Sequence, residues 1–282
     1  MTYKPDMCIY HGGCDDGFGA AWAVWRKWPD CEFIPGVYGK EPPSVDGKHV
    51  MMVDFSYKRP QMEALIKQSA SLVVLDHHKT AEAELAHLDL WAMKQWPPRS
   101  VTIKFDMEKS GARLAWEFCH GKLPVPAMII LIEDRDLWRF AFDPDTRRFS
   151  SALRIYPQEF KVWDEIFNDP HKLIEEGKIV LRAHQANIMK FCAESFIEKL
   201  NGYEVPCCNV PYHYASDVAH QLLADFPSAP FAMSWFKRGD GLFQASLRSE
   251  DHRIDVSEIA KKYGGGGHRN AAGFQVPSMA AE

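Results

Sequence analysis

Leu72-Val73-Val74-Leu75-Asp76-His77-His78 is the stretch on which the reading of this chain turns. Four aliphatic residues in a row, two of them β-branched, read as a strand buried on both faces, the kind found in parallel sheets. In open α/β sheets ligands bind just past the carboxyl ends of such strands. An Asp and two His placed there offer hard oxygen and imidazole donors, which suit a divalent metal better than a thiolate site does. Taken alone the triplet is weak, because Asp at a strand end is often only a turn former or cap.

Two further runs end in the same way. Met7-Cys8-Ile9-Tyr10 leads to His11 and then to Cys14-Asp15-Asp16-Gly17, and Val50-Met51-Met52-Val53 leads to Asp54. A fourth run, Met128-Ile129-Ile130-Leu131-Ile132, leads to Glu133-Asp134-Arg135-Asp136, but at this length periodicity does not separate strand from buried helix. Strands that each deliver a carboxylate or imidazole at one end would line those groups along one sheet edge. The set is His11, Asp16, Asp54, His77 and Asp134, with Cys14, Asp15, Asp76 and Asp136 as near neighbours. It is too rich in carboxylate for a single tetrahedral zinc. It suits two octahedral-leaning cations sharing a bridging carboxylate, with manganese or magnesium as natural occupants. Such a pair activates water and neutralises a phosphoryl group, so metal-assisted hydrolysis of a phosphoester or phosphoanhydride is expected.

Composition sets the outer bounds. A length of 282 residues suits two domains, and 46% hydrophobic with 25% charged residues suits an ordinary globular protein. No window approaches ~18 uninterrupted apolar residues, so no membrane span is expected. Met1-Thr2-Tyr3-Lys4-Pro5-Asp6 lacks the build of a secretory signal, and the seven cysteines include no Cys-x-x-Cys. Together these make the cytoplasm the default and argue against a disulfide framework or structural zinc. The net charge of −5 gives no general attraction for polyanions. The most basic stretch, 236–270, has seven Lys/Arg against five Asp/Glu, which supports a short anionic substrate and not a long nucleic-acid track.

The fold class expected is α/β, in three parts: a parallel-sheet catalytic domain at 1–145, a helical connector at 146–201 and a smaller mixed α/β domain at 202–282. Helices are expected over Gly17–Trp28, over Gln61–Ser69 after Pro60, from Thr80, and over Ser110–His120 closed by Gly121. The stretch 145–200 reads as wholly helical, ending in a long helix from His171 to Leu200 that Asn201-Gly202 stops. Beyond it, Phe231–Phe236 and Leu242–Arg248 flank Arg238-Gly239-Asp240-Gly241 as a hairpin. Gly264-Gly265-Gly266-Gly267 followed by His268 reads as a backbone cradle for an anion rather than a linker, and Arg248 offers a bidentate phosphate contact.

In order along the chain, His11-x-x-Cys14-x-Asp16-Gly17, Asp54, Asp76-His77-His78, Asp134, Ser246-Leu247-Arg248-Ser249 and Gly264-Gly265-Gly266-Gly267-His268-x-x-Ala271-Ala272-Gly273 resemble the motifs of the DHH phosphoesterase family. The last two resemble its DHH-associated C-terminal domain, found in RecJ-type exonucleases, nano-RNases and cyclic-dinucleotide phosphodiesterases. The resemblance spans residues 7 to 276 and implies two manganese ions. His11 would bind the first, Asp16 and His77 the second with Asp134 completing it, and Asp54 would bridge. His78 would touch the scissile phosphate, and Asp76 would hold a ligating imidazole in place. Arg248, Gly266, Gly267 and His268 would hold the substrate across an interdomain cleft.

One position departs from the family pattern, with Cys14 standing where a carboxylate is usual. A Cys14 thiolate, Asp15 reaching round, and a first metal with fewer protein ligands are all compatible with that. The implied activity is manganese-dependent hydrolysis of short nucleotides: oligoribonucleotides, linear dinucleotides or 3′-phosphoadenosine 5′-phosphate. A pyrophosphatase or exopolyphosphatase, and a non-catalytic nucleotide sensor, are the rival readings. A homodimer is left open.

Overall fold

The computed structural model describes residues 3–95, 97 and 100–278. They fall into two units, Met1–Leu181 and Arg182–Glu282.

In the first unit all strands are parallel. They are β1 (Met7–His11), β2 (Glu32–Gly36), β3 (His49–Val53), β4 (Ser71–Asp76) and β5 (Ser100–Phe105), in the order β2-β1-β3-β4-β5. The three apolar runs of the sequence are thus the three neighbouring inner strands. Strand order reverses between β1 and β3, and the crevice at such a reversal, beyond the carboxyl ends, is where open sheets place ligands. Pro35 sits on β2, an edge strand, where its missing N–H removes no ladder bond.

Side chains of the inner strands alternate between two cores. Cys8, Met51, Val53, Val73 and Leu75 pack with α1 (Asp15–Lys27), α5 (Gly111–His120) and α6 (Ala127–Asp136) on one face. Met7, Ile9, Val50, Met52, Leu72 and Val74 face the other way, onto Met62, Leu65 and Ile66 of α2 (Arg59–Gln68) and Leu88 and Ala92 of α4 (Leu88–Met93). Both faces are covered, which is why the strands read as unbroken apolar runs. A short α3 (Lys79–Glu84) follows the DHH triplet. Ser110 caps α5 by accepting a hydrogen bond from the Arg113 amide, and Gly121 ends it at φ 64°. The ambiguous run at 128–132 lies in helix α6, buried on most sides.

Residues 146–181 do not stand apart from this core. Phe149 and Leu153 of α7 (Asp145–Leu153), Trp163 and Ile166 of α8 (Phe160–Asn168), and Leu173 and Ile174 of α9 (Pro170–Ala193) join the cluster that holds Cys8 and Met51.

The long helix expected to reach Leu200 ends at Ala193, and Phe196–Leu200 is strand β6. Its antiparallel partner β7 (Tyr203–Asn209) begins after a two-residue turn, Asn201 at φ 52° and Gly202 at φ 81°. Asn-Gly with both residues left-handed is the strongest short hairpin signal, so the pair closes a hairpin and does not stop a helix. The second unit continues with α10 (Ala215–Asp225), β8 (Ala232–Lys237), β9 (Phe243–Arg248), α11 (Val256–Lys262), β10 (Gly266–Gly267) and β11 (Ala271–Val276). Its sheet order is β10-β11-β9-β8-β7-β6, mixed because β7 and β8 run parallel. Among the described residues no helix is long and apolar enough to cross a membrane.

Candidate metal centre

Asp54 follows β3 directly, with its backbone at φ 54° and its amide donating to Leu75 O at 2.9 Å. Asp is one of the few residues that enters the left-handed region readily. That turn sends the carboxylate, 1% exposed, toward the ends of both neighbouring strands. Its Oδ2 lies 3.3 Å from Nδ1 of His11 on β1, and its Oδ1 lies 3.0 Å from Nε2 of His77 after β4. A β-carbon on Gly111 would stand 2.3 Å from that of Asp54, so the start of α5 approaches the carboxylate as only glycine permits.

His77 Nε2 is also 3.6 Å from Asp16 Oδ2 and 3.6 Å from Asp136 Oδ2. Asp16, in the first turn of α1, accepts hydrogen bonds from the amides of Gly111 (2.6 Å) and Ala112 (3.0 Å), which fixes its orientation. Asp76 accepts from the His77 amide (2.8 Å), from His78 Nδ1 (2.7 Å) and from Ser56 Oγ (2.6 Å). It therefore orients the His78 ring, leaving Nε2 as that ring's remaining donor atom.

These side chains form two groups, His11 with Asp54 and His78, and Asp16 with His77 and Asp136. In each the potential ligand atoms lie within 4.8 Å of one another. Asp134, expected to complete the second group, does not join it. Its carboxylate accepts from the amides of Ala141 (2.8 Å) and Phe142 (3.2 Å) and from the Thr146 hydroxyl, and so pins the loop after α6. Two residues apart on a helix point about 200° apart, so Asp134 and Asp136 cannot both face the centre. Asp136 stood in the sequence only as a neighbour, and nothing in the spacing chose between them.

Cys14 and Asp15 also stay outside both groups. Cys14 is the N-cap residue of α1, and desolvation together with the charges of Asp54, Asp136 and Asp16 pushes its thiol pKa well above the ordinary value. The Asp15 carboxylate is raised by burial, opposed by Arg154, Arg135 and a hydrogen bond from Gln158. In their place His78 supplies the third donor beside His11 and Asp54.

Burial, with Asp54 and Asp136 nearby, pushes the Asp16 pKa well up. Burial acts upward on Asp54 too, but the two imidazoles beside it, His11 and His77, outweigh it and hold that carboxyl below the usual range. Burial acts downward on His77, and its bond to Asp54 with the charges of Asp136 and Asp16 reverses that and raises it. Three carboxylates thus crowd one imidazole, Asp16 and Asp54 from the buried side and Asp136 from the solvent side, an arrangement that a cation would balance. His11 Nδ1 and Asp54 Oδ2 are buried, face each other and complete no hydrogen bond. Oxygen and imidazole donors in this arrangement fit divalent cations of the manganese and magnesium class.

Residues 213–282 match the DHHA1 domain family. Nearly the whole chain aligns with uncharacterized protein R106 of Acanthamoeba polyphaga mimivirus, 32% identical over 297 residues, covering 96% of this chain and 67% of that one. The chain belongs to the DHH phosphoesterase family. Solved structures along its length include the pGpG-specific phosphodiesterase PggH of Vibrio cholerae (14% identity, 96% and 92% of the two chains, TM-score 0.47). Another is an exopolyphosphatase-related protein of Bacteroides fragilis (11% identity, 98% and 89%, TM-score 0.47). Likenesses this distant say nothing about substrate.

Within the DHHA1 domain, Arg248 ends β9 and pairs in register with Ala271, so it lies at the same sheet end as the 268–270 turn. Its guanidinium donates to Ser216 Oγ and to Leu247 O (2.8 Å). The glycine run is an ordered turn and strand with no helix start after it. A β-carbon on Gly265 would meet Gly273 O at 2.1 Å, and one on Gly267, at φ 136°, would meet Ala271 O at 2.5 Å. These glycines are required by close backbone packing of β10 on β11. The His268 amide donates to Ala271 O (2.8 Å), so it closes that turn.

Proposed function

We propose that this protein hydrolyses phosphoesters of short nucleotides with the help of two manganese ions, magnesium being the alternative. The observation that carries the reading is the position of Asp54, one oxygen toward His11 and the other toward His77. His11, Asp54 and His78 would hold one ion, and Asp16, Asp54, His77 and Asp136 the other. Bound there, the ions would supply an activated water and charge neutralisation at the phosphoryl group.

The chain's own residues do the rest. Asp76 keeps the His78 ring turned by its bond to Nδ1, and the charge of Asp76 raises His78 against the lowering effect of burial. With Nδ1 committed to Asp76, Nε2 is the His78 atom that would face the ion beside His11 and Asp54. The amides of Gly111 and Ala112 hold Asp16 so that it need not reorganise. Arg248, Gly266, Gly267 and His268 are proposed to bind the substrate's nucleotide or terminal phosphate.

The test is turnover of the purified protein with manganese against two- to five-residue RNAs, linear dinucleotides, 3′-phosphoadenosine 5′-phosphate and polyphosphate. Release of nucleotide from the ester substrates, lost in Asp54→Asn, is the result expected. Phosphate release from polyphosphate alone would turn the assignment to an anhydride, and saturable binding without turnover of any would leave a sensor.

A further inference from the structure

Two residues beyond β2, on the loop that leaves the carboxyl edge of the sheet, Tyr38 leans over the first ligand group. Its ring meets that of His11 edge-on at 5.3 Å and that of His78 edge-on at 6.4 Å. It rests on Phe55 at 4.7 Å, tilted by 39°. Phe55 is fully buried and pressed against Gly36, where a β-carbon would come within 2.7 Å of its ring. The pedestal under Tyr38 is thus fixed by the sheet itself. Tyr38 is nevertheless 42% exposed, and among the described residues its hydroxyl has no hydrogen-bond partner.

The ring is seated on Phe55 against two imidazoles, and the hydroxyl of this exposed residue is left to meet a ligand at their side. A phosphoryl oxygen brought to His11 and His78 would enter the space that this ring borders, and a phenol is a donor throughout the neutral range.

We propose that Tyr38 contacts the substrate, its hydroxyl donating a hydrogen bond to a non-bridging oxygen of the phosphoryl group held at His11, Asp54 and His78. The inference rests on the phosphoester reading above, and the experiment separates the two. Tyr38→Phe removes one oxygen and keeps the ring on Phe55, and Tyr38→Ala removes the ring.

Each variant is assayed for kcat/KM on a diribonucleotide. Binding of a fluorescein-labelled, methylenephosphonate-linked dinucleotide that is not cleaved is measured by anisotropy. Manganese stoichiometry is measured by calorimetry. Loss of a hydrogen bond to a charged group predicts that Tyr38→Phe weakens both binding and kcat/KM by about ten- to a hundredfold, with manganese stoichiometry retained. Wild-type values in Tyr38→Phe, with loss only in Tyr38→Ala, would make the ring a packing element and overturn the proposal. A lowered manganese count in Tyr38→Phe would overturn it as well, by placing the hydroxyl on the ion. If the parent protein binds the dinucleotide without cleaving it and Tyr38→Phe binds more weakly, the contact stands and the hydrolytic reading falls. If the parent protein neither binds nor cleaves, both fall.

Discussion

The two ligand groups share Asp54 and are otherwise built on different foundations. His11, Asp54 and His78 all sit at or just past the ends of neighbouring strands, so the sheet register, with the Asp76 bond that turns the His78 ring, brings them together. Asp16, His77 and Asp136 need more: α1 and α6 must pack on the sheet, and the start of α5 must donate two amides to Asp16. The first group is a property of one layer, and the second is a property of the packing between layers. Helix packing should therefore disturb the second group before the first.

The strongest break in this comparison is at the shared residue. Asp54→Asn keeps the left-handed backbone accessible and removes the charge. Manganese titration should show both ions weakened, and turnover should fall by orders of magnitude in single-turnover assays.

Next comes the contrast between two acids on one helix. Asp136→Asn should weaken one manganese site by about ten- to a hundredfold with little change in thermal stability. Asp134→Asn should do the reverse. It should keep two ions bound while chemical denaturation shows a loss of about 1–3 kcal/mol, because buried amides of the loop lose a charged acceptor. Equal loss of metal in both variants would remove the distinction between them.

Gly111→Ala sharpens the claim about packing. The added methyl collides with the Asp54 side chain, and overpacking of this kind costs about 1–3 kcal/mol. Calorimetry should show the site at Asp16 and His77 losing more affinity than the site at His11.

The smallest effects concern protons and sulfur. In the folded protein without metal the carboxylates around His77 raise its pKa to about 10, so the ring retains its proton through neutrality. A cation must displace that proton, so manganese affinity should increase with pH between 6 and 9, with proton release measurable in two buffers of different ionisation enthalpy. Cys14→Ser should leave manganese affinity within about twofold, since the thiol lies outside both groups.

The sequence made the first group legible because strand ends announce themselves. An apolar run followed at once by His or Asp fixes both the element and the edge, and that pattern marks His11 and Asp54 of the first group and His77 of the second. The choice of Asp136 over Asp134 was hidden, because an all-apolar helix carries no periodicity to say which face is inward. The partnership of His78 with His11 was hidden too, since it follows from the Asp76 bond that turns the ring. Strands β2 and β5 escaped notice as well, being edge strands with less continuous apolar runs. At 196–202 the 3.6-residue spacing carried a helix too far, and the Asn-Gly turn, read correctly, would have shown a hairpin.

The three carboxylates gathered around His77 have a bearing on how this protein should be handled. Stripping divalent ions with a chelator should do more than stop the proposed hydrolysis. It would leave the buried Asp16 and Asp54 facing Asp136 around one imidazole with no cation between them, and the protein should unfold at lower temperature until the ions are returned.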